Sequence, residues 1–249
     1  MKHAHSIAVA FVVGLVLQTA AFGAEKNPTA VVEMFTSQGC SSCPPADRIL
    51  SGYAASKDVL ALSWHVDYWN YLGWKDTFSD PAFTDRQQRY AVSFKRRGVY
   101  TPQAVVNGRN HVVGSRRGDI ERLKEAYTAS GKGLTVPINT ERSSDKIRIF
   151  AKANAGEALL WIVYYNREEK VDIQRGENRG RTMTYRNVVR DYSMLGMMKA
   201  GSVDVTLPLA EMKKKGHDAC AILLQRTTRS GTPGPIIGAA VIDYIQVGG

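Results

Sequence analysis

Two cysteines separated by Ser41-Ser42 stand where an apolar run gives way to a helical pattern, and this junction constrains the fold more than any other feature of the chain. Ala30-Val-Val-Glu-Met-Phe35 suits a buried strand, and Thr36 to Gly39 are loop-forming residues that end it. After Cys43 come Pro44-Pro45 and then Ala46 to Ala55, with Ile49, Leu50 and Tyr53 at helical spacing. Prolines fit the first turn of a helix, whose amides have no intrahelical partner. The cysteines therefore belong to a strand-to-helix turn. There the helix dipole and free amides favour a thiolate and lower its pKa below the free value of about 8.5. Cys40, at the more exposed end, is the expected nucleophile, and Cys43, one turn into the helix, the expected resolving thiol.

Beyond the first helix, Val59 to Trp64 reads as a second buried strand, and Phe83 to Phe94 as a helix that Gly98 closes. Ala104 to Val106 and His111 to Val113 are apolar runs joined by Asn107-Gly108, a strong hairpin signal. Asp119 to Ala129 supplies a closing helix, so the order is β-α-β-α-β-β-α. From Leu134 the pattern changes to short strands: Lys146 to Ala153, Ala158 to Tyr165, Arg181 to Val189, Val203 to Leu207, Ala219 to Gln225 and Ile236 to Tyr244. The 249 residues have room for two domains. We expect an α/β domain over residues 28–130 and, after the linker Ser130-Gly-Lys-Gly133, a β-rich, sandwich-like domain over 134–249.

Residues 1–23 follow the plan of a secretory signal peptide: Lys2, an apolar run from Ile7 to Ala21, and small residues ending in Ala21-Phe22-Gly23. That run is shorter than a membrane span, and no other segment approaches one. Export places the cysteines in an oxidising space such as a bacterial periplasm. Three cysteines are too few for a disulfide-dense scaffold, and no second Cys or His pair stands at zinc spacing, so no structural metal is expected. Cys220, between Ala219 and Ala221, reads as a buried strand cysteine. The net charge of +10 attracts anionic surfaces, but the basic clusters are scattered and carry no nucleic-acid motif.

Thr101-Pro102, just before a strand and after a helix, completes a pattern that resembles the thioredoxin-like superfamily. The resemblance implies that Pro102 is the cis-proline facing the cysteines and that Thr101 offers its backbone to an extended substrate. Val31 to Asp47, Trp64-His-Val-Asp-Tyr-Trp69, Leu72-Gly-Trp-Lys-Asp76, Val99-Tyr-Thr-Pro-Gln103, Gly176-Glu-Asn-Arg-Gly-Arg181 and Gly238-Ala-Ala240 resemble, more narrowly, the secreted family called domain of unknown function number 1223. That resemblance spans nearly the whole chain after the leader and implies a thioredoxin-like fold and export. It implies no activity.

The chain departs from ordinary thioredoxins in having Ser41-Ser42 between the cysteines and no tryptophan before Cys40. The reduction potential is therefore open between roughly −270 and −120 mV. Glu33 is the nearest candidate for the buried acid that assists the resolving cysteine, but it is displaced by one residue, which on a strand reverses the face. Trp64, Trp69 and Trp74, with Tyr68 and Tyr71, leave the second strand near the cysteines. Trp64 and Trp69 are candidate walls of a substrate groove, the alternative being a hydrophobic cluster under a long loop. His65 is a candidate acid or base, or a strand-end histidine bonded to backbone. The expected function is thiol–disulfide exchange with exported protein thiols or disulfides and an unknown redox partner, with no cofactor beyond the cysteine pair. The alternative is a non-enzymatic module that binds copper or a partner protein, with the cysteines, joined by His65 in the copper case, as ligands or as a structural disulfide.

Overall fold

The computed structural model describes residues 27–56 and 58–243, so the expected leader at 1–23 and Tyr244 lie outside the described residues. β1 (Ala30–Thr36) and β2 (Val59–His65) run parallel and are joined by α1 (Pro44–Ala54). α2 (Pro81–Ser93) starts at Asp80, whose carboxylate accepts a hydrogen bond from the Ala82 amide at 2.8 Å. β3 (Gln103–Val106) and β4 (Asn110–Val113) form the expected hairpin, with Asn107 and Gly108 both left-handed, and α3 (Arg117–Ala129) follows.

Side-chain alternation along β1 sorts its residues between two faces. Val32 and Met34 pack with Ala46, Leu50 and Tyr53 of α1. Thr36, of the same parity, reaches Asp47 on that helix. Val31 and Phe35 pack on the opposite face with Phe83 and Tyr90 of α2. Glu33 shares that second face and so points away from the cysteine-bearing helix.

The second half contains β5 (Asn139–Arg142), β6 (Lys146–Lys152), β7 (Ala158–Asp172), β8 (Thr182–Met198), β9 (Ser202–Pro208), a short α4 (Leu209–Lys214), β10 (Ala219–Thr227) and β11 (Pro233–Ile242). β5, β6 and β9 make a three-stranded sheet, but the remaining strands continue the first sheet. The result is a mixed α/β architecture built on an eight-stranded sheet of order β11-β10-β7-β8-β2-β1-β3-β4. The expected linker thus does not separate two sheets. The joint is narrow: β8 meets β2 in parallel at Val188 and Ser63, and Asn187, at φ +47°, donates its side-chain amide to the Ala61 carbonyl at 2.8 Å. One apolar cluster lies between the small sheet and the far end of the large one, with Ile147 and Ile149 against Leu160, Ile162 and Ile222. Another crosses the joint, with Phe35, Trp64 and Tyr90 in contact with Val163, Val189, Leu223 and Ile236.

β7 and β8 extend well past the expected ends. The outer arm of β7 carries Asn166-Arg-Glu-Glu-Lys170, polar and mostly exposed, so no apolar alternation marks it, although Val171 beyond it packs with Met183, Tyr185 and Val188 of β8 on one face. Cross-strand pairs such as Glu168 with Arg186, 2.6 Å apart, help hold the two strands in register.

Candidate redox site

Cys40 and Cys43 form a disulfide with their Cα atoms 5.4 Å apart. Two turns in series present the pair: the Cys40 amide donates to the Ser37 carbonyl at 3.1 Å, and the Cys43 amide to the Cys40 carbonyl at 3.2 Å. Cys43 caps α1, its carbonyl accepting from the Ala46 and Asp47 amides, with Pro44 and Pro45 in the first turn as the sequence indicates. Cys40 is 3% exposed and Cys43 fully buried, so Ser41 and Ser42 are the parts of the loop that meet solvent. Cys40 is the more exposed of the two cysteines, though by little.

A buried polar cluster lies beneath the pair. Asp47, one helical turn after Cys43, accepts from the Thr36 hydroxyl at 2.7 Å through Oδ1, while its Oδ2 is buried without a hydrogen-bond partner. Burial pushes its carboxyl up to about 7, against the Thr36 hydrogen bond and the pull of His65. His65, fully buried, places Nδ1 2.8 Å from Asp76 Oδ2 and leaves Nε2 without a partner. Burial raises the Asp76 carboxyl as well, but His65 and the amides of Gln38 and Phe78 outweigh it and hold Asp76 below its ordinary value. Tyr185 of β8 closes the cluster with its ring centroid 4.7 Å from that of His65. Its hydroxyl pKa is raised by burial and by Asp47 and Asp76.

The rim comes from three segments. The Thr101–Pro102 bond is cis, with Pro102 buried. Phe35 pairs with Gln103, so the Thr101–Pro102 bond lies at the end of β3 that adjoins the carboxyl end of β1, from which the cysteine turn leaves. Trp69 links the two, donating Nε1 to Thr101 Oγ1 at 2.7 Å and lying where a side chain on Gly39 would meet it at 3.2 Å. Tyr71 stacks on Trp69 and is 77% exposed. On the other side, Gln38 accepts from Trp74 Nε1 at 2.8 Å and donates to Thr77 at 3.0 Å. The third segment is the tip of the β7–β8 hairpin, where Asn178 donates to the carbonyls of Gln38 and Cys40, both at 2.9 Å, and Glu177 accepts from the Ser41 amide at 3.2 Å.

Of the residues singled out from sequence, Cys40, Cys43, Thr101, Pro102, Trp69 and His65 meet here. Trp64 does not: it is fully buried on the opposite face, against Phe35, Phe83 and Tyr192, with the Arg86 guanidinium 4.9 Å from its ring. Glu33 is on that face too, 2.8 Å from Arg86 Nε and 2.6 Å from the Tyr90 hydroxyl, as the one-residue displacement warned. His65 bonds a carboxylate rather than backbone. Asp47, Asp76, Glu177 and Asn178 escaped the sequence reading. Asp47 could have been found from its i, i+4 spacing to Cys43. Among the described residues no group of three or more His, Cys, Asp or Glu side chains is placed to hold a metal ion.

The sequence over residues 31–225 matches the family described as "Protein of unknown function (DUF1223)". The chain belongs to the DUF1223 family. The crystal structure of protein AGR_C_4864 from Agrobacterium tumefaciens is similar over 90% of this chain and 97% of its own, at 39% identity and a TM-score of 0.81. HBP35 of Porphyromonas gingivalis is similar over 88% of this chain and 76% of its own, at 14% identity and a TM-score of 0.63, a likeness of fold alone. No curated protein matches the chain. Asn178 and Glu177 fall inside the matched span, so the DUF1223 segment includes both the cysteine loop and the hairpin that touches it.

Proposed function

We propose that this DUF1223 protein is an exported thiol–disulfide oxidoreductase whose first half is thioredoxin-like. The observation that carries the reading is a cysteine pair at a helix start with a buried carboxyl, Asp47, held near neutrality one turn below Cys43. In the reducing direction the Cys40 thiolate attacks one sulfur of a substrate disulfide, and the other substrate sulfur leaves as a thiolate. Cys43 gives its proton to Asp47 and attacks Cys40, breaking the mixed disulfide and releasing the second substrate thiolate. Two electrons pass from the pair to the substrate, and the reverse sequence oxidises a substrate dithiol. The β-α-β-α-β-β-α order supports the thioredoxin-like half, and the N-terminal apolar run supports export. Trp69, Tyr71 and Thr101 form the edge along which an unfolded polypeptide would lie beside Cys40.

The test is the equilibrium of the pair between disulfide and dithiol across glutathione buffers, on Cys220→Ala protein without its leader, read by alkylation and intact mass. A midpoint between roughly −270 and −120 mV is expected, and Cys43→Ser should trap mixed disulfides through Cys40. A disulfide intact below about −300 mV would mark a structural clasp and end the oxidoreductase reading.

A further inference from the structure

The hairpin tip Gly176-Glu-Asn-Arg-Gly-Arg181 is too far from Cys40 in sequence to be a local feature of its loop, yet it is built onto that loop. Asn178 is 1% exposed and spends both side-chain N–H groups on the carbonyls of Gln38 and Cys40. Its own oxygen accepts from Arg181 at 3.1 Å, and the tip is closed by the Gly180 amide on the Ile173 carbonyl at 2.8 Å. Gly176, at φ +76°, lies so close to Trp74 that a Cβ would stand 3.1 Å from the tryptophan's own. So anchored, the tip holds the Glu177 carboxylate on the Ser41 amide, the residue next to Cys40.

We propose that the tip tunes the redox centre: Asn178 fixes the cysteine loop, and Glu177 disfavours the Cys40 thiolate and shifts the pair toward the disulfide. The physical reason is competition. A thiolate at a helix start is stabilised by nearby amides, and a carboxylate already on one of them removes a donor and adds a like charge. The proposal rests on the pair being redox-active, with the exchange written as protein disulfide plus two glutathione thiols giving protein dithiol plus glutathione disulfide. The other charged groups around the loop are Arg175, Arg179 and Arg181 on the tip, Lys75 on the Trp74 segment, Asp76 behind Gln38, and Asp47 and Arg48 on α1. Glu177 is the carboxylate bonded to the loop's exposed side.

The experiment compares Glu177→Gln and Asn178→Ala with the parent in a Cys220→Ala background. In glutathione buffers each variant should shift about threefold toward the dithiol, a potential about 14 mV higher at 29.6 mV per tenfold. With Cys43→Ser added, the pH profile of Cys40 alkylation should move about half a unit lower in Glu177→Gln, and added salt should shrink that difference because the carboxylate is exposed. Should Cys43→Ser not fold, thiolate absorbance of the reduced pair gives the same profile. A pair that exchanges with an unchanged midpoint and an unchanged profile overturns the proposal. A pair that does not exchange overturns the oxidoreductase reading instead, while the alkylation profile still decides what Glu177 does.

Discussion

Asp47 is an acid whose surroundings oppose its charge, and the consequence is a pH dependence of stability with an unusual sign. Its carboxyl is raised by burial to about 7, above the value near 4 expected in an unfolded chain. Between those values the folded protein holds a proton that the unfolded chain has lost, so its contribution to stability falls as pH rises from about 4 to 7. Asp47→Asn keeps an oxygen for Thr36 and removes the titration. Its unfolding free energy from urea titration should match the parent's near pH 4 and exceed it at pH 8, by roughly 4 kcal/mol at most. Curves that stay parallel across that range would refute the account. Glu33 makes the opposite case, a buried charge fully engaged. Glu33→Gln leaves Arg86 buried among Trp64, Tyr90 and Tyr192 without its counter-ion, and should cost about 3–5 kcal/mol in denaturant titration. The same variant should leave the glutathione midpoint of the cysteine pair unmoved, since Glu33 lies on the far face of the sheet. The parity of β1 was readable in the sequence, because a period of two fixes which residues share a face. The partners waiting on each face were not, because Arg86 and Asp47 reach the strand from helices whose packing angle no local pattern records.

At the scale of elements, the β7–β8 hairpin connects the strand-rich half to the cysteine loop, and its tip depends on one backbone conformation. Gly176 lies in the left-handed region, and an L side chain there meets both that penalty and Trp74. Gly176→Ala should destabilise the tip by about 1–2 kcal/mol and quicken hydrogen exchange at the amide of Ser41, with little effect on exchange in β1. Equal protection at Ser41 in variant and parent would show that the tip does not hold the loop. The elements of the first half were legible because each carries its own signal: prolines at the start of α1, Asn-Gly between β3 and β4, an apolar stripe on α3. The outer arm of β7 was not, since Asn166 to Lys170 are polar and charged and read as a loop, whereas its partner in β8 falls within the strand expected over Arg181 to Val189. Nor was the destination of Asn178, whose bond to Cys40 spans 138 residues and is fixed by how the sheet continues rather than by anything beside it in the chain.

At the scale of the whole molecule, the change of pattern at Leu134 divides the sequence but not the core. β2 has β8 along its outer edge, and the cluster around Trp64 and Tyr90 takes Val163, Tyr165, Val189, Leu223, Ile236 and Ala239 from the second half. The polar side of the joint is shared as well, since Arg86 and Tyr90 bond Gln225 and the Asn107 carbonyl accepts from the Ile236 amide at 2.8 Å. A chain ending at residue 133 would keep every cysteine of the pair, the Thr101–Pro102 loop and α1 to α3. It would also expose an unpaired β2 edge and the apolar face around Trp64, each a hazard for association. Such a fragment, residues 24–133, should bind a hydrophobic dye and unfold without a cooperative transition, whereas residues 24–249 should unfold in one step followed identically by tryptophan fluorescence and circular dichroism. A cooperative fragment with native-like near-ultraviolet dichroism would mean that the first half is a domain in its own right, and that the second half acts on the cysteines as an appended regulator. Failure of the fragment to fold would mean that the strands after Leu134 are part of the scaffold that holds the cysteine pair, and that this half cannot be removed to ask what it contributes. Substitutions at its contact points with the loop, Glu177 and Asn178, are then the way to separate its influence on the chemistry from its part in the fold.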